Sequence, residues 1–430
     1  MKNVWSLCVI AASGVVGAAQ AQTPLVSLGS DGQGSALGLM DAAAGGTTVA
    51  VTAGGGAALL SGGSLTPLTG FSLAGTRVSG DGRVAVQSVF SQNRWQPRVW
   101  RNGQATDLAR PQLGARVLSA NADGTVLAGF ATVPLPIPGF SAFVATRWTR
   151  TNNGWTYAAN DRLSVTQLVS ANGIVVASGP GPAEVDAQEN YAALWYPDGT
   201  VEILPNIAES AGFVTPLAAT ADAGVIVGTA EVLVVPPGGG EFFSRLVPVV
   251  WERVNGAWNV AMLPGQAEGE LPPAALSIHV TTGGAIIASE AWVWERGASG
   301  YGAPRPLTEY LTRRRCDVQG WSGLQLVDVS ADGTAWFGTG LNLRAPSGPR
   351  EEGWVVRPPS APCDDIDFDN DTVFPSDQDV AAFFAVLAGA ECPSGLPLTC
   401  DSLDFNGNLV TPEDQDVIDF FRVLAGDTCD

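Results

Sequence analysis

Three aspartates at alternating positions form the part of this sequence best suited to chemistry. Asp367, Asp369 and Asp371 stand in the segment CDDIDFDNDTVFPSDQDVAAFFAVLAGAEC, which runs from Cys363 to Cys392. Oxygen side chains at positions 1, 3 and 5 of a loop can converge on one hard cation, and Ca²⁺ takes such ligands at about 2.3–2.6 Å. The segment therefore predicts a calcium-binding loop.

The acidic segment is repeated at an offset of 37 residues, as CDSLDFNGNLVTPEDQDVIDFFRVLAGDTC. The residues that correspond to the three aspartates are, in order, Asp404, Asn406 and Asn408. Because two ligands lose their charge, the second loop is expected to bind calcium more weakly. The duplication predicts a module of two similar loops over residues 363–430.

An amphipathic helix is predicted after each loop to hold its ligands in place. In the first copy a shared apolar face is formed by Val380, Phe383, Phe384 and Leu387. The second copy repeats it with Val417, Phe420, Phe421 and Leu424. Gly389 and Gly426 can supply left-handed C-caps.

Four cysteines bracket the two copies, 29 residues apart within each copy. The pairs Cys363–Cys392 and Cys400–Cys429 respect the repeat, and the alternative joins Cys392 to Cys400 and Cys363 to Cys429. An exported protein can keep such pairs oxidised, and each would stabilise the small module by about 2–4 kcal/mol. Cys316 stands apart and is expected to be a buried thiol.

Two loop-helix units in tandem resemble a type I dockerin, in which duplicated F-hand loops bind calcium and paired helices can dock onto a cohesin. The resemblance implies calcium ligands at Asp367, Asp369, Asp371, Asp379, Asp404, Asn406, Asn408 and Asp416. Val373 and Val410 would add backbone carbonyls. Gln378 and Gln415 fall where the twelfth-position acid of the family should stand, so Asp377 and Asp414 remain alternatives to Asp379 and Asp416. A solvated acidic loop with helix caps and no metal also remains open.

The first 21 residues predict a secretory signal peptide, with one lysine near the start, a short apolar stretch and a small-x-small site ending at Ala21. No later stretch has the roughly 18 apolar residues of a membrane helix. We therefore expect a soluble protein that is secreted, periplasmic or at the cell surface. Residues 363–430 hold 16 Asp and Glu against one Arg, so most of the net charge of −20 lies there. Because the longest basic cluster is Arg313–Arg315, nucleic-acid binding is not expected.

A longer unit recurs seven times between residues 22 and 357. Each copy has a valine-rich strand, a turn such as Asp-Gly that suits a two-residue hairpin, a second apolar strand, a third strand ending in Trp, and a fourth closing on Leu. The third-strand positions are Leu60, Trp100, Trp148, Trp195, Trp251, Trp294 and Trp354. The closing positions are Leu68, Leu108, Leu163, Leu204, Leu263 and Leu307.

Four short strands per unit predict a mainly β fold, a seven-bladed β-propeller with each Trp packed between blades. Six or eight blades, or an open β-solenoid, are alternatives. The seventh copy lacks its closing strand, and Leu25–Leu28 resembles one. If this N-terminal strand completes the last blade, no sheet edge is left exposed. Residues 358–362 would then link the propeller to the α-helical, EF-hand-like module.

The unit SxDGxxVxG…AxxWxxxG…L resembles the extracellular repeats of the HAF type, most closely at SAFVATRW, Ser141–Trp148. That resemblance implies no catalytic residues, and none is assigned. His279, the only histidine, is expected to be structural beside its turn. The same role is expected for the turn aspartates Asp81, Asp123, Asp222 and Asp332.

Two classes of function remain open. The favoured one is a non-enzymatic binding or scaffold protein, with the propeller as interaction face and the calcium-dependent module attached to a protein or polysaccharide of the cell envelope. The alternative is a carbohydrate-active or other hydrolytic propeller carrying a docking module. Paired acids about 5–10 Å apart in the central channel would favour the enzyme. A channel lined by Val, Ala and Gly would favour binding, and the strands supply few acids.

Overall fold

Seven antiparallel sheets of four or five strands make up most of the described chain. The computed structural model describes residues 23–28, 37–43, 47–53, 56–61, 64–69, 71, 75–137, 139–180, 190–208, 210–234, 243–267, 270–297, 300–314, 316–346, 348–358, 368, 376–390, 403, 405 and 414–425. The predicted signal peptide and the four cysteines of the acidic module lie outside these residues.

Consecutive strands pair in order in blades 1 to 5, as in propeller blades. Two short strands, β1 (Thr23–Pro24) and β2 (Val26–Ser27), precede the first blade. Blade 1 is β3 (Gly38–Ala42), β4 (Thr48–Ala53), β5 (Gly56–Ser61) and β6 (Ser64–Pro67). Blade 2 is β7 (Arg77–Val78), β8 (Val84–Ser91), β9 (Arg94–Arg101) and β10 (Gln104–Asp107). Blade 3 is β11 (Ala115–Ala120), β12 (Val126–Pro134), β13 (Ser141–Thr151) and β14 (Gly154–Asn160). Blade 4 is β15 (Val165–Val169), β16 (Val175–Ser178), β17 (Ala192–Trp195) and β18 (Val201–Ile203).

The remaining blades differ mainly in strand length. Blade 5 is β19 (Ser210–Ala219), β20 (Val225–Val234), β21 (Phe243–Val254) and β22 (Ala257–Met262). Blade 6 is β23 (Ile278–Val280), β24 (Ile286–Ser289), β25 (Trp292–Gly297), β26 (Gly300–Tyr301) and β27 (Arg305–Pro306). Helix α1 (Leu307–Arg313) and β28 (Cys316–Asp317) lead to blade 7, formed by β29 (Trp321–Val329), β30 (Trp336–Asn342) and β31 (Arg350–Val356). The predicted seven-bladed propeller is confirmed.

The N-terminal strand completes the last blade, as predicted. Strand β2 pairs antiparallel with β31, placing Val26 opposite Val355 and Ser27 opposite Trp354. The Leu28 amide donates to the carbonyl oxygen of Gly353 at 2.9 Å. Strand β1 adds a parallel pair with β28. Both ends of the domain therefore hold the ring closed.

The third-strand tryptophans pack between neighbouring blades, as predicted. The indole Nε1 of Trp148 donates to Ala109 O at 2.7 Å, just past the closing leucine of blade 2. Trp251 and Trp294 bond in the same way to Pro205 O and Pro264 O, at 2.7 and 3.0 Å. The closing leucines of blades 1 to 6 lie in the same interblade clusters. One repeated contact therefore joins each blade to the next.

The turn between the first and second strands is longer than the two-residue hairpin expected from the sequence. In blade 2, Ser79 N donates to Val84 O at 2.8 Å, so four residues span the turn. Val84 N donates to the hydroxyl Oγ of Ser79 at 3.0 Å. In a two-residue hairpin the corresponding amide would donate to a backbone carbonyl instead. Gly82, with φ of 71°, takes the left-handed position that the Asp-Gly pair predicted.

Cys316 is buried and unpaired, as expected. It lies in the apolar cluster between blades 6 and 7, beside Leu25 and Tyr310. Burial raises the pKa of its thiol to about 12. Because the thiolate is the reactive form, this cysteine is chemically inert near neutral pH.

Two further helices, α2 (Asp377–Leu387) and α3 (Asp414–Leu424), lie in the acidic module. Four fully buried phenylalanines form their core. They occur as two pairs whose members are 37 residues apart in sequence, Phe368 with Phe405 and Phe383 with Phe420. The rings of Phe383 and Phe420 stack at 4.1 Å between centroids. Gly389, with φ of 84°, caps α2 as predicted. The sequence duplication therefore yields a core in which equivalent side chains meet.

Removing the side chain of Leu25 tests the closure of the ring. Leu25 is 7% exposed, whereas the adjacent Val26 is 54% exposed. We expect Leu25→Ala to lower the free energy of unfolding of the propeller by about 2–5 kcal/mol, because a buried leucine is lost. Val26→Ala should cost less than about 1 kcal/mol. Urea denaturation followed by tryptophan fluorescence measures both, and equal costs would contradict the closure.

Candidate functional site

The first strands of all seven blades enclose a central channel with a volume of about 1040 Å³. At one end, small residues from the turns line it, including Gly80, Ala122, Ala171 and Ala331. Neighbouring turns are hydrogen-bonded directly there: Asp81 N donates to Ala122 O at 2.7 Å, and Ala171 N donates to Ala221 O at 3.0 Å. These bonds draw the turn end together, and the volume is typical of a small-molecule site.

One position of the repeat sets the chemistry of the channel wall. In each blade a backbone amide at the end of the first strand donates to the second strand and closes the turn, and the position lies two residues before that amide. In blades 1 to 7 it is occupied by Asp41, Arg77, Ser119, Leu168, Ala218, His279 and Asp328. All seven line the channel. Blades 6, 7, 1 and 2 are neighbours in the closed ring, so the four ionisable side chains form one continuous half of this ring. The other half is neutral.

A bulge recurs in the first strand just before this position. The register shifts between Val117 and Ser119 in blade 3, and equivalent shifts occur in blades 1, 4, 5 and 7. The first-strand carbonyl then presses against the second strand, where a Cβ at Gly129 would lie 1.8 Å from Arg116 O. A Cβ at Gly228 or Gly338 would lie 2.2 Å from the equivalent carbonyl of its own blade, Thr215 O or Gln325 O. Glycine permits the bulge, and bulges redirect neighbouring side chains.

Side chains at this ring position also join adjacent blades. Ala42 N in blade 1 donates to Asp328 Oδ2 in blade 7 at 3.1 Å. Val78 N in blade 2 donates to Asp41 Oδ2 at 2.6 Å. Val169 N in blade 4 donates to Ser119 Oγ at 3.2 Å. One oxygen of each aspartate therefore has a structural role that a serine fulfils elsewhere.

His279 stands beside Asp328 on the channel wall. Its Nδ1 lies 3.1 Å from Asp328 Oδ1, which also accepts from Val329 N at 2.8 Å. A proton on Nδ1 must bridge the first contact, because an unprotonated nitrogen would face a carboxylate oxygen. The other ring nitrogen, Nε2, is buried and has no hydrogen-bond partner among the described residues. His279 thus lies near its turn, as expected, but belongs to the channel.

Asp41 carries the unusual protonation state of the ring. Its side chain is 17% exposed, and Asp41 Oδ1 lies 3.6 Å from Arg77 Nη1. Burial, with the negative charge of Asp328, raises the pKa of Asp41 to about 7. Arg77, the Val78 amide and His279 oppose this rise without cancelling it. Near neutral pH the Asp41 carboxyl is therefore divided between its neutral and charged forms.

The opposite end of the channel is lined by large apolar side chains, which we call the apolar mouth: Phe90, Trp95 and Leu276. The rings of Phe90 and Trp95 lie 5.1 Å apart between centroids. The guanidinium of Arg116 covers Trp95 at 4.6 Å. Leu276 is 80% exposed. Isolated exposed apolar residues are common, but a group at the rim of a channel indicates a contact surface.

Sequence reasoning missed the ionisable half-ring. The sequence analysis noted only that the strands contain few acids, and the aspartates that it considered one by one were those in the turns. Those turn aspartates are structural, as expected: hydrogen bonds from Thr220 Oγ1 and Gly224 N hold the pKa of Asp222 below its usual value. Aligning the seven copies on the turn and reading two residues back would have found Asp41, His279 and Asp328.

The predicted calcium ligands are only partly described. Asp367, Asp369, Asp371, Asp404, Asn406 and Asn408 lie outside the described residues. Asp379 and Asp416 are buried, at 0% and 1% exposure, whereas Asp377 and Asp414 are exposed. The described residues alone contain no group of three His, Cys, Asp or Glu side chains arranged to hold a metal ion.

Asp379 combines a helix-capping role with one unused oxygen. Its Oδ2 accepts from Ser376 N at 2.8 Å, and its own amide donates to Ser376 Oγ at 3.2 Å, which forms a capping box. Asp379 Oδ1 is buried and has no partner among the described residues. A buried carboxylate oxygen is costly unless a cation or donor satisfies it, so this atom fits a metal ligand.

The apolar faces of α2 and α3 differ from the sequence prediction by one residue each. Phe384 and Phe421, expected beside Phe383 and Phe420 in the core, are 41% and 43% exposed. Adjacent helical residues point about 100° apart, so only one of each pair can face the core. The rings of Phe384 and Phe421 lie 5.8 Å apart between centroids. With Ile418, which is 48% exposed, they form an apolar patch, here called the helix patch.

No family model matches the chain, and no curated protein matches it in sequence. Oligogalacturonate lyase from Vibrio parahaemolyticus is similar in structure, with 9% identity, 77% of this chain and 91% of that chain covered, and a TM-score of 0.47. Hydrazine synthase from Kuenenia stuttgartiensis has 12% identity, coverage of 79% and 98%, and a TM-score of 0.40. TolB from Acinetobacter baumannii has 12% identity, coverage of 75% and 63%, and a TM-score of 0.35. Likenesses this distant carry no conclusion about function.

The raised pKa of Asp41 predicts a pH-dependent stability. Between its usual value of 3.8 and about 7 the folded state binds more protons than the unfolded state, so stability falls as the pH rises through this window. We expect Asp41→Asn to remove this loss. From pH 5 to pH 7 the free energy of unfolding of the variant should rise relative to that of the wild type by at most about 1.4 kcal/mol per pH unit. Urea denaturation at several pH values measures the difference.

Asp332→Asn provides the matched control for this experiment. It removes the same charge from a turn whose hydrogen bonds hold the pKa of Asp332 below its usual value despite partial burial. Its contribution is therefore lost only on acidification below the tested window. Asn172 fills the equivalent turn position in blade 4, so asparagine is tolerated there. Parallel stability curves for the wild type and Asp41→Asn would contradict the assignment.

Proposed function

We propose that this protein is a secreted or periplasmic binding protein, whose propeller channel holds a ligand and whose C-terminal module attaches it to the cell envelope through calcium-ordered helices. The observation that carries the proposal is the channel itself, which joins an ionisable half-ring to an apolar mouth. No described helix has the length and apolar character needed to cross a membrane.

The C-terminal module supports attachment in two ways. The buried, unpartnered Oδ1 of Asp379 lies at the N-terminus of α2, where a loop of carboxylates precedes it in sequence. Calcium there would neutralise those carboxylates and fix the start of the helix. The helix patch then offers an apolar surface for a partner. Asp379 and Asp416 are the helix acids we assign as ligands, because the alternatives Asp377 and Asp414 are exposed.

A second candidate function, hydrolysis by paired carboxylates, is favoured by one observation. Asp41 with a raised pKa, beside Asp328, follows the pattern of a general acid and its partner base. The hydrogen bonds that the two aspartates accept argue against hydrolysis. Asp328 receives Ala42 N, Val329 N and His279 Nδ1, and Asp41 Oδ2 receives Val78 N. These bonds occupy both oxygens of Asp328, the partner base of such a pair, and leave only Oδ1 of Asp41 open, so binding is the function the geometry supports better.

Hydrogen exchange of α2 tests the calcium site in the full-length protein. We expect calcium at about 100 times its dissociation constant to slow exchange of the α2 amides by about 100-fold relative to EDTA, because binding stabilises the ordered module. Asp379→Asn should lose most of this protection. Asp377→Asn, which alters an exposed acid in the same turn, should keep it. Equal exchange in calcium and EDTA for the wild type would contradict the calcium site.

Co-sedimentation with cell-envelope fragments tests attachment. The full-length protein should pellet with the fragments in millimolar calcium and remain soluble in EDTA. We expect Phe384→Ala/Phe421→Ala to reduce pelleting at least ten-fold while leaving the calcium protection of α2 intact, because these exposed rings stabilise no core. Ile203→Ala removes a propeller side chain of similar exposure, 50%, and should pellet normally. Pelleting that is insensitive to EDTA would exclude calcium-dependent attachment.

A further inference from the structure

We propose that the channel selects ligands carrying one protonated amine at the end of an apolar body, with the amine held between Asp41 and Asp328 and the body against the apolar mouth. This inference rests on the proposed binding function and specifies the ligand. It follows from the charges of the half-ring, the depth at which they lie, and the side chains at the entrance.

The half-ring places two carboxylates beside one guanidinium. Asp41 and Asp328 can each carry a negative charge, and Arg77 lies 3.6 Å from Asp41. His279 Nδ1 is directed at Asp328 Oδ1, and the guanidinium of Arg116 covers Trp95 at the apolar mouth, so neither contacts the carboxyl of Asp41. A single ammonium group would be attracted by both carboxylates, whereas an anion would be repelled by them.

Asp41 also has room to accept another donor. Its Oδ2 receives Val78 N at 2.6 Å, but Oδ1 lies 3.6 Å from Arg77 Nη1, beyond ordinary hydrogen-bond distance. The Arg77 guanidinium itself donates to Met40 O at 3.0 Å. An ammonium donor in the channel can therefore reach an oxygen that no described residue saturates.

The depth of the ring defines the shape of the ligand. Asp41 and His279 lie two residues from the turn, whereas Leu276 lies before the first strand of blade 6, which begins at Ile278, and lines the apolar mouth. A ligand entering past Phe90 and Trp95 would place its charged end deepest.

A metal ion fits this ring less well than an organic cation. The described residues contain no three His, Cys, Asp or Glu side chains arranged around a common point. Nδ1 of His279 carries the proton directed at Asp328, which leaves Nε2 as the nitrogen able to coordinate a metal, but the described residues do not group the two further ligands that such a site needs around it. An ammonium group needs only acceptors, which the carboxylates supply.

Binding of an amine should be linked to the protonation of Asp41. The groups that face its carboxyl are Arg77 and the Val78 amide from blade 2, Asp328 from blade 7 and His279 from blade 6. An added positive charge favours the ionised carboxylate, so binding releases the proton that Asp41 holds below pH 7. Affinity for an amine protonated throughout the range should rise about ten-fold between pH 6 and pH 8.

Calorimetric titration of the full-length protein with three matched probes tests the proposal: 2-phenylethylamine, 2-phenylethanol and phenylacetate. At pH 8 we expect the amine to bind at least ten-fold more tightly than the neutral alcohol, and the anion to bind most weakly. Asp41→Asn should weaken the amine at least ten-fold and remove the pH dependence. The acidic C-terminal module carries carboxylates of its own, so binding at the channel is defined as the part lost in Asp41→Asn.

Asp332→Asn is again the matched control, because it removes one charge near the same end of the propeller without touching the channel wall. It should bind the amine as the wild type does. Equal binding of amine and alcohol would overturn the amine selectivity while leaving the channel as a binding site. Undiminished binding in Asp41→Asn, no binding of any probe, or competition by millimolar calcium would overturn the proposal. Calcium-dependent attachment is measured separately and does not depend on these outcomes.

Discussion

The antiparallel pairing of β2 with β31 is the contact on which the channel site depends. It makes blades 7 and 1 neighbours, although Asp328 and Ala42 are 286 residues apart in sequence. The bond from the Ala42 amide to Asp328 joins blade 1 to blade 7, and within blade 7 Ser27 Oγ of β2 donates to Glu352 Oε2 of β31 at 2.6 Å. Without closure the two aspartates of the half-ring would belong to opposite ends of an open array. The charge that distinguishes this channel is thus a consequence of topology.

The same wall position contributes to stability and to the proposed binding site. A bulge turns the side chain toward the channel, a glycine or other small residue opposite makes room for the bulged carbonyl, and the side chain accepts an amide from the next blade. Ser119 meets the structural need with one oxygen. Asp41 meets it too and retains a second oxygen, together with a charge that burial makes costly. A serine would suffice for the fold, so the aspartate indicates an additional role.

Blade number and closure could be predicted from the sequence because each depends on a residue type fixed by packing. Tryptophans such as Trp148 and leucines such as Leu108 recur since every interblade contact needs the same large apolar side chains. The channel wall has no such restriction, and Asp41, Ala218 and His279 share a position without sharing a type. The bulges that precede this position in blades such as 1 and 5 depend on carbonyl geometry, which carries no sequence signature beyond scattered glycines. The exposed position of Phe384 was missed for a related reason, since two adjacent phenylalanines give no sign of which one faces the core.

The two proposed sites use one electrostatic strategy in different solvent environments. In the module, carboxylates cluster in sequence, and a hard divalent ion can neutralise several of them at once. In the channel the carboxylates are few and shielded from water, so one monovalent ammonium suffices and a proton on Asp41 can substitute for it. Protons compete at both sites, because both bind their cations through ionised carboxylates. Ligand capture and attachment would therefore both weaken on acidification, which gives a protein of this design a common response to the pH of its surroundings without any contact between the two domains.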